Sequence, residues 1–198
     1  MIGLIALSTD LTIERDFHNH CKEDVVTTRI LFENPLTKHN LSKLSERISA
    51  GHDLLPECRK YVFGCTSGTA VIGLDYFDEQ MITPMSSAIK WLAAHNKTQL
   101  DIITPYPKSV HQTVVSAFEL NGLDVQAQHF LDYDDDITIA NLSEQQVRDH
   151  INNFEPKSDV VFLSCTSFPV VDIIDTLPYN CISSNSTMIW EINENSKR

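Results

Sequence analysis

The sequence predicts an α/β protein of two pseudo-symmetric lobes, each built on a mostly parallel sheet, with a cleft between them. Two observations carry this. Short apolar runs alternate with segments whose apolar residues recur every three or four positions, the pattern of βαβ units. In addition, an apolar strand runs into Cys-Thr-Ser twice, as Tyr61-Val-Phe-Gly-Cys65-Thr-Ser and as Val161-Phe-Leu-Ser-Cys165-Thr-Ser, a hundred residues apart. A duplicated half whose two copies face one another is the simplest architecture that fits this echo.

Each element follows from local chemistry. Ile2–Leu7 is a continuous apolar run, the mark of a strand buried on both faces, and it ends in Ser8, Thr9 and Asp10, a helix N-cap region. Val25–Ile30 is β-branched and reads as a second strand. Leu41, Leu44 and Ile48 mark one face of a short helix. Tyr61, Val62 and Phe63 form the next strand, and a shorter segment with Met81–Thr83 leads to a helix over Ser86–Ala94 whose apolar face is Ile89, Leu92 and Ala93. Leu100–Thr104 is a strand. Pro107 starts the helix bearing Val110, Val114, Val115 and Phe118, and Gly122 stops it. Val125–Phe130 is a strand, Ser143 and Gln146 have capping-box spacing for a helix through Ile151, and Val160–Leu163 is a buried strand. A short strand near Cys181–Ser183 and a helix beyond Asn185 complete the chain. The expected lobes are 1–86 with 184–198, carrying Cys65, and 87–183, carrying Cys165.

Composition narrows the function. With 42% hydrophobic and 21% charged residues in 198, the chain can bury a sizeable core and is not a disordered sequence. Fifteen basic against 27 acidic residues give a net charge of −12, which disfavours a phosphate-tracking surface and so nucleic acid as a partner. Nowhere do 18 apolar residues follow one another, so no membrane span is expected, and the start MIGLIALSTD lacks the basic segment and cleavage site of a signal peptide. A soluble cytoplasmic protein is the expectation. Five widely spaced cysteines, Cys21, Cys58, Cys65, Cys165 and Cys181, read as reduced thiols.

In parallel sheets ligands sit at the carboxyl ends of strands, where both Cys-Thr-Ser turns fall. A thiol there, followed by small hydroxyl residues and a helix, sits among backbone N–H donors that stabilise a thiolate. Gly64 and Gly68 allow close approach of a ligand, and the amides with Thr66 and Ser67 can hold a carboxylate; Thr166 and Ser167 stand in the second copy. Phe168 and Pro169 replace Gly68 and Thr69, so the two thiols should differ in role. Two thiols flanking a small acid suit chemistry at one carbon, one removing a proton or adding to the substrate and the other delivering a proton. That chemistry requires no metal or organic cofactor. The competing reading is a pair of buried, inert cysteines.

Other constellations carry less. His18, His20 and Cys21 point in several directions from one helix and lack a second cluster, so no metal is expected. The acidic run Asp132, Asp134, Asp135 and Asp136 lacks the glycine and glutamate of a calcium loop, since Ile137 and Ser143 stand there, and reads as a solvated loop. Arg29 and Asn34 could meet a carboxylate or a neighbouring subunit, or pair on the surface, with Glu33 as one partner. Trp91 and Trp190 read as packing residues. No GxGxxG, Walker or Ser-His-Asp motif supports dinucleotide, triphosphate or serine-hydrolase chemistry.

The whole chain resembles the aspartate/glutamate racemase superfamily, in its maleate isomerase and arylmalonate decarboxylase branch. IGLIALSTDLTIERDF, TTRILFENPLT, FGCTSGTAVIG, ITPYPKSVHQ, FLSCTS and SSNSTMIW together are similar to the ectoine-utilisation group EutA. The resemblance implies a two-lobed fold, a homo-oligomeric assembly, and a cofactor-independent isomerase or racemase of a small carboxylic acid. It implies Cys65 as nucleophile or first base, Cys165 as partner thiol on the opposite face, and Tyr106 as a hydrogen-bond donor to a substrate carboxylate. Asp10 and His111 stand where relatives carry asparagine, and Asp10 favours a substrate with an amino group or amide over a diacid. It also implies that this chain is trimmed after Gly73 and between Asp175 and Cys181, which leaves open a noncatalytic acid-binding protein on the same scaffold, or an arylmalonate-type decarboxylase.

Overall fold

Each half of the chain folds into a four-stranded parallel sheet flanked by helices, in a computed structural model that describes residues 1–196. The first half contains β1 (Ile2–Leu7), α1 (Ile13–His20), β2 (Val25–Ile30), α2 (Lys38–Ser42), α3 (Ser45–Asp53), β3 (Lys60–Gly64), α4 (Thr66–Ile72) and β4 (Met81–Ile82). After the linking helix α5 (Pro84–Ala94) come β5 (Gln99–Thr104), α6 (Lys108–Leu120), β6 (Asp124–Phe130), α7 (Asp136–Ala140), α8 (Glu144–Asn152), β7 (Val161–Leu163), β8 (Cys181–Ser183) and α9 (Ser184–Asn195). The sheet orders are β2-β1-β3-β4 and β6-β5-β7-β8, the same topology twice.

The apolar run of β1 is explained by burial on both faces. Ile5 and Leu7 join a core that extends into the second sheet, while Ile2, Leu4 and Ala6 pack with Ile13, Phe17, Met188 and Ile192 on the other side. Leu41, Leu44 and Ile48 are all buried, each burial worth about 2 kcal/mol, but instead of sharing one helix Leu41 lies on α2, Ile48 on α3 and Leu44 at the cap between them. Pro107 and the capping box of Ser143 with Gln146 open α6 and α8 as expected, and Gly122 follows α6 at φ +81°, which suits glycine. Trp91 packs on the core and stacks on His95, with the Trp190 ring 6.0 Å from that histidine.

The hundred-residue echo extends beyond the cysteines. Thr83 with Ser86 opens α5 and Ser183 with Ser186 opens α9, both as capping boxes in which side chain and backbone bond reciprocally. These two helices pack against one another, joined by Ser87 Oγ donating to Glu191 at 2.7 Å and by Lys90 Nζ to Glu191 at 2.6 Å. Short 3-10 turns, Leu74–Tyr76 and Val171–Thr176, precede β4 and β8. No helix among the described residues is long and apolar enough to cross a membrane.

The acidic run is a solvated loop as expected at Asp132 and Asp134, which are exposed, but not at its end. Its last member, Asp136, begins α7 and is only 3% exposed, because Thr9 of the first half reaches across to its carboxylate. Asp135 caps the same helix by accepting from the Ile137 amide.

Candidate active site

The two Cys-Thr-Ser turns end β3 and β7, the equivalent strands of the two sheets, and they meet at the junction of the halves. Thr166 Oγ1 donates to the Gly64 carbonyl at 3.2 Å, Thr66 Oγ1 lies 2.7 Å from Ser184 Oγ, and Ser184 Oγ accepts from the Cys165 amide at 3.0 Å. Asn185 Nδ2 donates to the Thr166 carbonyl and to the buried Asp16 carboxylate, both at 2.9 Å. Thr166 therefore ties its turn to the end of β3, and Thr66 ties its own to Ser184 at the head of α9, which in turn holds the Cys165 amide. Ser184 and Asn185 were legible only as part of SSNSTMIW; their role depends on a contact across more than a hundred residues, which sequence spacing does not display.

Cys65 is the N-cap of α4, its sulfur accepting from the Gly68 amide at 3.2 Å with Ser67 Oγ 3.7 Å away. Gly68 permits this: a Cβ there would lie 2.9 Å from the Cys65 sulfur and 3.0 Å from Leu44. Gly64 serves packing and not ligand approach, since its absent Cβ would fall 2.4 Å from Ile13. Thr69 closes the first helical bond, its amide donating to the Cys65 carbonyl at 3.0 Å.

No such helix follows Cys165, contrary to the expectation for both copies. Pro169 occupies the position of Thr69 and has no N–H for the first helical bond; Phe168 instead makes a three-residue turn to the Cys165 carbonyl. Cys165 takes φ +116°, a region that strains any residue with a Cβ. The Tyr106 hydroxyl and the Ser167 amide lie close enough to its sulfur to favour the thiolate. Tyr106 is 1% exposed, accepts from Ser164 Oγ at 3.5 Å and lies within the electrostatic reach of both thiols.

Two carboxyl groups share this neighbourhood. Asp10 Oδ1 accepts from the Thr12 and Ile13 amides at 2.9 and 3.0 Å, capping α1, while its Oδ2 is buried without a partner among the described residues. Asp136 Oδ2 accepts from Thr9 Oγ1 at 2.9 Å. Burial first, then the Asp10 charge, pushes the Asp136 carboxyl up to about 7. Burial, reinforced by Asp136 and Asp10, pushes the Cys65 thiol up to about 12 and the Cys165 thiol well above its ordinary value. The expected stabilisation of a thiolate by backbone donors is thus reversed in the free protein: the amide of Gly68 lowers Cys65, but burial and the anionic neighbours outweigh it. Both thiols are closed off, at 3% and 4% exposure.

The remaining candidates fall elsewhere. His111 is bracketed inside the second half, Nδ1 2.9 Å from Thr104 Oγ1 and Nε2 2.8 Å from Gln128 Oε1, and burial lowers its pKa. Arg29 pairs with Glu14 and donates to the Leu7 and Asp10 carbonyls, not to Glu33, which faces Arg47. Asn34 donates to Asp135 across the halves at 2.8 Å. His20 pairs with Asp172, and among the described residues no group of three His, Cys, Asp or Glu is arranged to hold a metal. A cavity of about 320 Å³ beside Phe77 and Ile89 does not include either thiol.

The fold is that of a two-lobed α/β protein with two four-stranded parallel sheets, each carrying a Cys-Thr-Ser turn at the end of its third strand. The chain is similar to the maleate isomerase Iso of Pseudomonas putida S16, with 17% identity, a TM-score of 0.84, and coverage of 99% of this chain and 92% of that one. It is similar to a Nocardia farcinica maleate cis-trans isomerase mutant that carries a covalently bound succinylcysteine intermediate, at 14% identity, TM-score 0.82 and coverage of 99% and 92%. A liganded mutant of arylmalonate decarboxylase matches at 14% identity and TM-score 0.77, over 96% and 90% of the two chains. No family model and no curated protein sequence matches the chain.

Proposed function

We propose that the protein is a cofactor-independent isomerase or racemase that uses Cys65 and Cys165 on a small carboxylic acid. The observation that carries this reading is the junction itself: two equivalent strand ends bring their thiols into one neighbourhood, with the buried Tyr106 within electrostatic reach of both sulfurs. In this reading the acid lies between the turns. Tyr106, Ser67, Ser167 and the amides of Thr66 and Thr166 hold its carboxylate, and the Asp10 side faces the rest of the molecule. Cys65, once deprotonated, removes a proton from the carbon beside the carboxylate or adds to it. In the proton-transfer case a C–H bond breaks as the Cys65 S–H forms, and the Cys165 S–H breaks as a C–H forms on the opposite face. No net proton is gained or lost.

The division into 1–86 with 184–198 and 87–183 belongs to this proposal, Lys197 and Arg198 lying outside the described residues. So do a cytoplasmic location and a homo-oligomeric assembly. The EutA motifs extend it to ectoine catabolism.

The raised, buried thiols favour a second reading, a small-acid-binding protein without turnover. One experiment separates the two. Maleate, aspartate, glutamate, hydantoins, arylmalonates and ectoine breakdown products are incubated with the protein in deuterated water and followed by NMR for interconversion, exchange and carbon dioxide release. The isomerase reading expects one acid to exchange, and folded Cys65→Ser and Cys165→Ser to lose at least about a thousandfold in rate. Near-normal rates in both variants exclude the two-thiol mechanism. Binding without exchange selects the second reading, and carbon dioxide release selects a decarboxylase.

A further inference from the structure

The sequence singled out Asp10 and set aside the acidic run, yet the fold joins them. Asp10 follows β1 of the first sheet and Asp136 follows β6 of the second, and the Thr9 hydroxyl bonds the Asp136 carboxyl at 2.9 Å, one residue from Asp10. Both are buried, at 0% and 3% exposure. The Asp10 side chain is half used: Oδ1 caps α1, and Oδ2 has no hydrogen-bond partner among the described residues. A buried carboxylate oxygen without a donor is costly unless something supplies one. The same carboxyl acts through space on Asp136, Cys65 and Cys165, so it shares their neighbourhood.

The groups around the pair do not offer a cation. Asp135 adds negative charge to Asp136, and Cys65 and Cys165 are the other titratable neighbours. Arg29 touches the Asp10 main chain, but its guanidinium is committed to the Leu7 and Asp10 carbonyls and to Glu14. A second substrate carboxylate brought here would meet two acidic groups and lose its hydration; a nitrogen carrying hydrogens would supply the donor that Oδ2 lacks.

We propose that Asp10 and Asp136, contributed by opposite sheets, set the substrate class: they receive an ammonium or amide N–H group and exclude a second carboxylate. The inference rests on the binding of a carboxylic acid between the thiol turns and names what stands at its other end. The raised Asp136 carboxyl supports it, because below about pH 7 the neutral acid tolerates a carboxylate better than its ionised form above that pH.

Calorimetric titration with maleate and with its monoamide, maleamate, tests this on the full chain. The two probes share a carbon skeleton and differ in one carboxylate against one amide. The wild type is expected to bind maleamate at least about tenfold more tightly than maleate at pH 8, with the gap narrowing at pH 6. Asp10→Asn/Asp136→Asn is expected to reverse the preference and abolish its pH dependence. Asparagine keeps an oxygen for the Thr12 and Ile13 amides, and Asp136→Asn alone serves if the double variant does not fold. Equal binding of the two probes by the wild type overturns the proposal, as does an unchanged preference in the variants or no binding of maleamate. Selective binding without any isotope exchange leaves this inference standing and removes only the isomerase reading.

Discussion

Cys65 and Cys165 end equivalent strands and are followed by the same Thr-Ser pair, yet one sits on an unstrained backbone at the head of a helix and the other at φ +116° before an irregular turn. Two positions of the turn separate them. Gly68 leaves room for the Cys65 sulfur where Phe168 stands in the other copy, and Thr69 supplies the amide that closes the first helical bond onto Cys65, which Pro169 cannot. The sulfur of Cys65 then rests on an amide three residues ahead, while the Tyr106 hydroxyl and the Ser167 amide act on that of Cys165. The repeat places two thiols; the substitutions in the turn make them chemically distinct. The two aspartates repeat the lesson, since Asp10 is tied to two amides and Asp136 to one hydroxyl across the junction.

These contrasts can be broken or sharpened experimentally. The largest effect is on thiol reactivity. With Cys65 pushed up to about 12 from an ordinary 9.0, its thiolate fraction at neutral pH falls about a thousandfold. Iodoacetamide labelling read by mass spectrometry should therefore modify the partly exposed Cys58 well before Cys65 or Cys165, and the order should invert if either buried thiol is ionised at rest.

A smaller effect concerns folding. Asp136 is raised in the folded state from an ordinary 3.8 to about 7, so its contribution to stability is fully present below about pH 4 and lost as pH rises through 7. The urea stability of wild type relative to Asp136→Asn should fall by up to about 4 kcal/mol between pH 4 and 8. A pH-independent difference would mean that the carboxyl is not held in its neutral form. The smallest effect isolates the backbone. At position 165, Gly should be more stable than Ala by about 1 kcal/mol because it relieves the positive φ, whereas at position 65 Ala should exceed Gly by a similar amount. The same sign at both positions would remove the contrast.

Much of the fold was legible because its determinants are local. The two-sided burial of β1 is written in an unbroken apolar run, and the α8 capping box in the spacing of Ser143 and Gln146. The paired thiol turns were legible as a repeat. What escaped was set by contacts distant in sequence. Asp136 reads as a hydrated acidic residue until Thr9, 127 residues away, is placed against it. Ser184 and Asn185 likewise acquire a role only through Cys165, Thr66 and Asp16. Pro169 was visible but its effect on the following helix required the missing amide to be counted, and the anionic surroundings that raise the thiols required both aspartates in place.

The bond from Thr9 to Asp136 has company at the same end of the sheets: the Leu36 amide donates to the Asp134 carbonyl at 2.7 Å, and Asn34 to Asp135 at 2.8 Å. These three links latch one half of the molecule to the other while α5 and α9 hold the seam elsewhere. Parting the halves at that edge would cost only hydrogen bonds of a kind that water can replace.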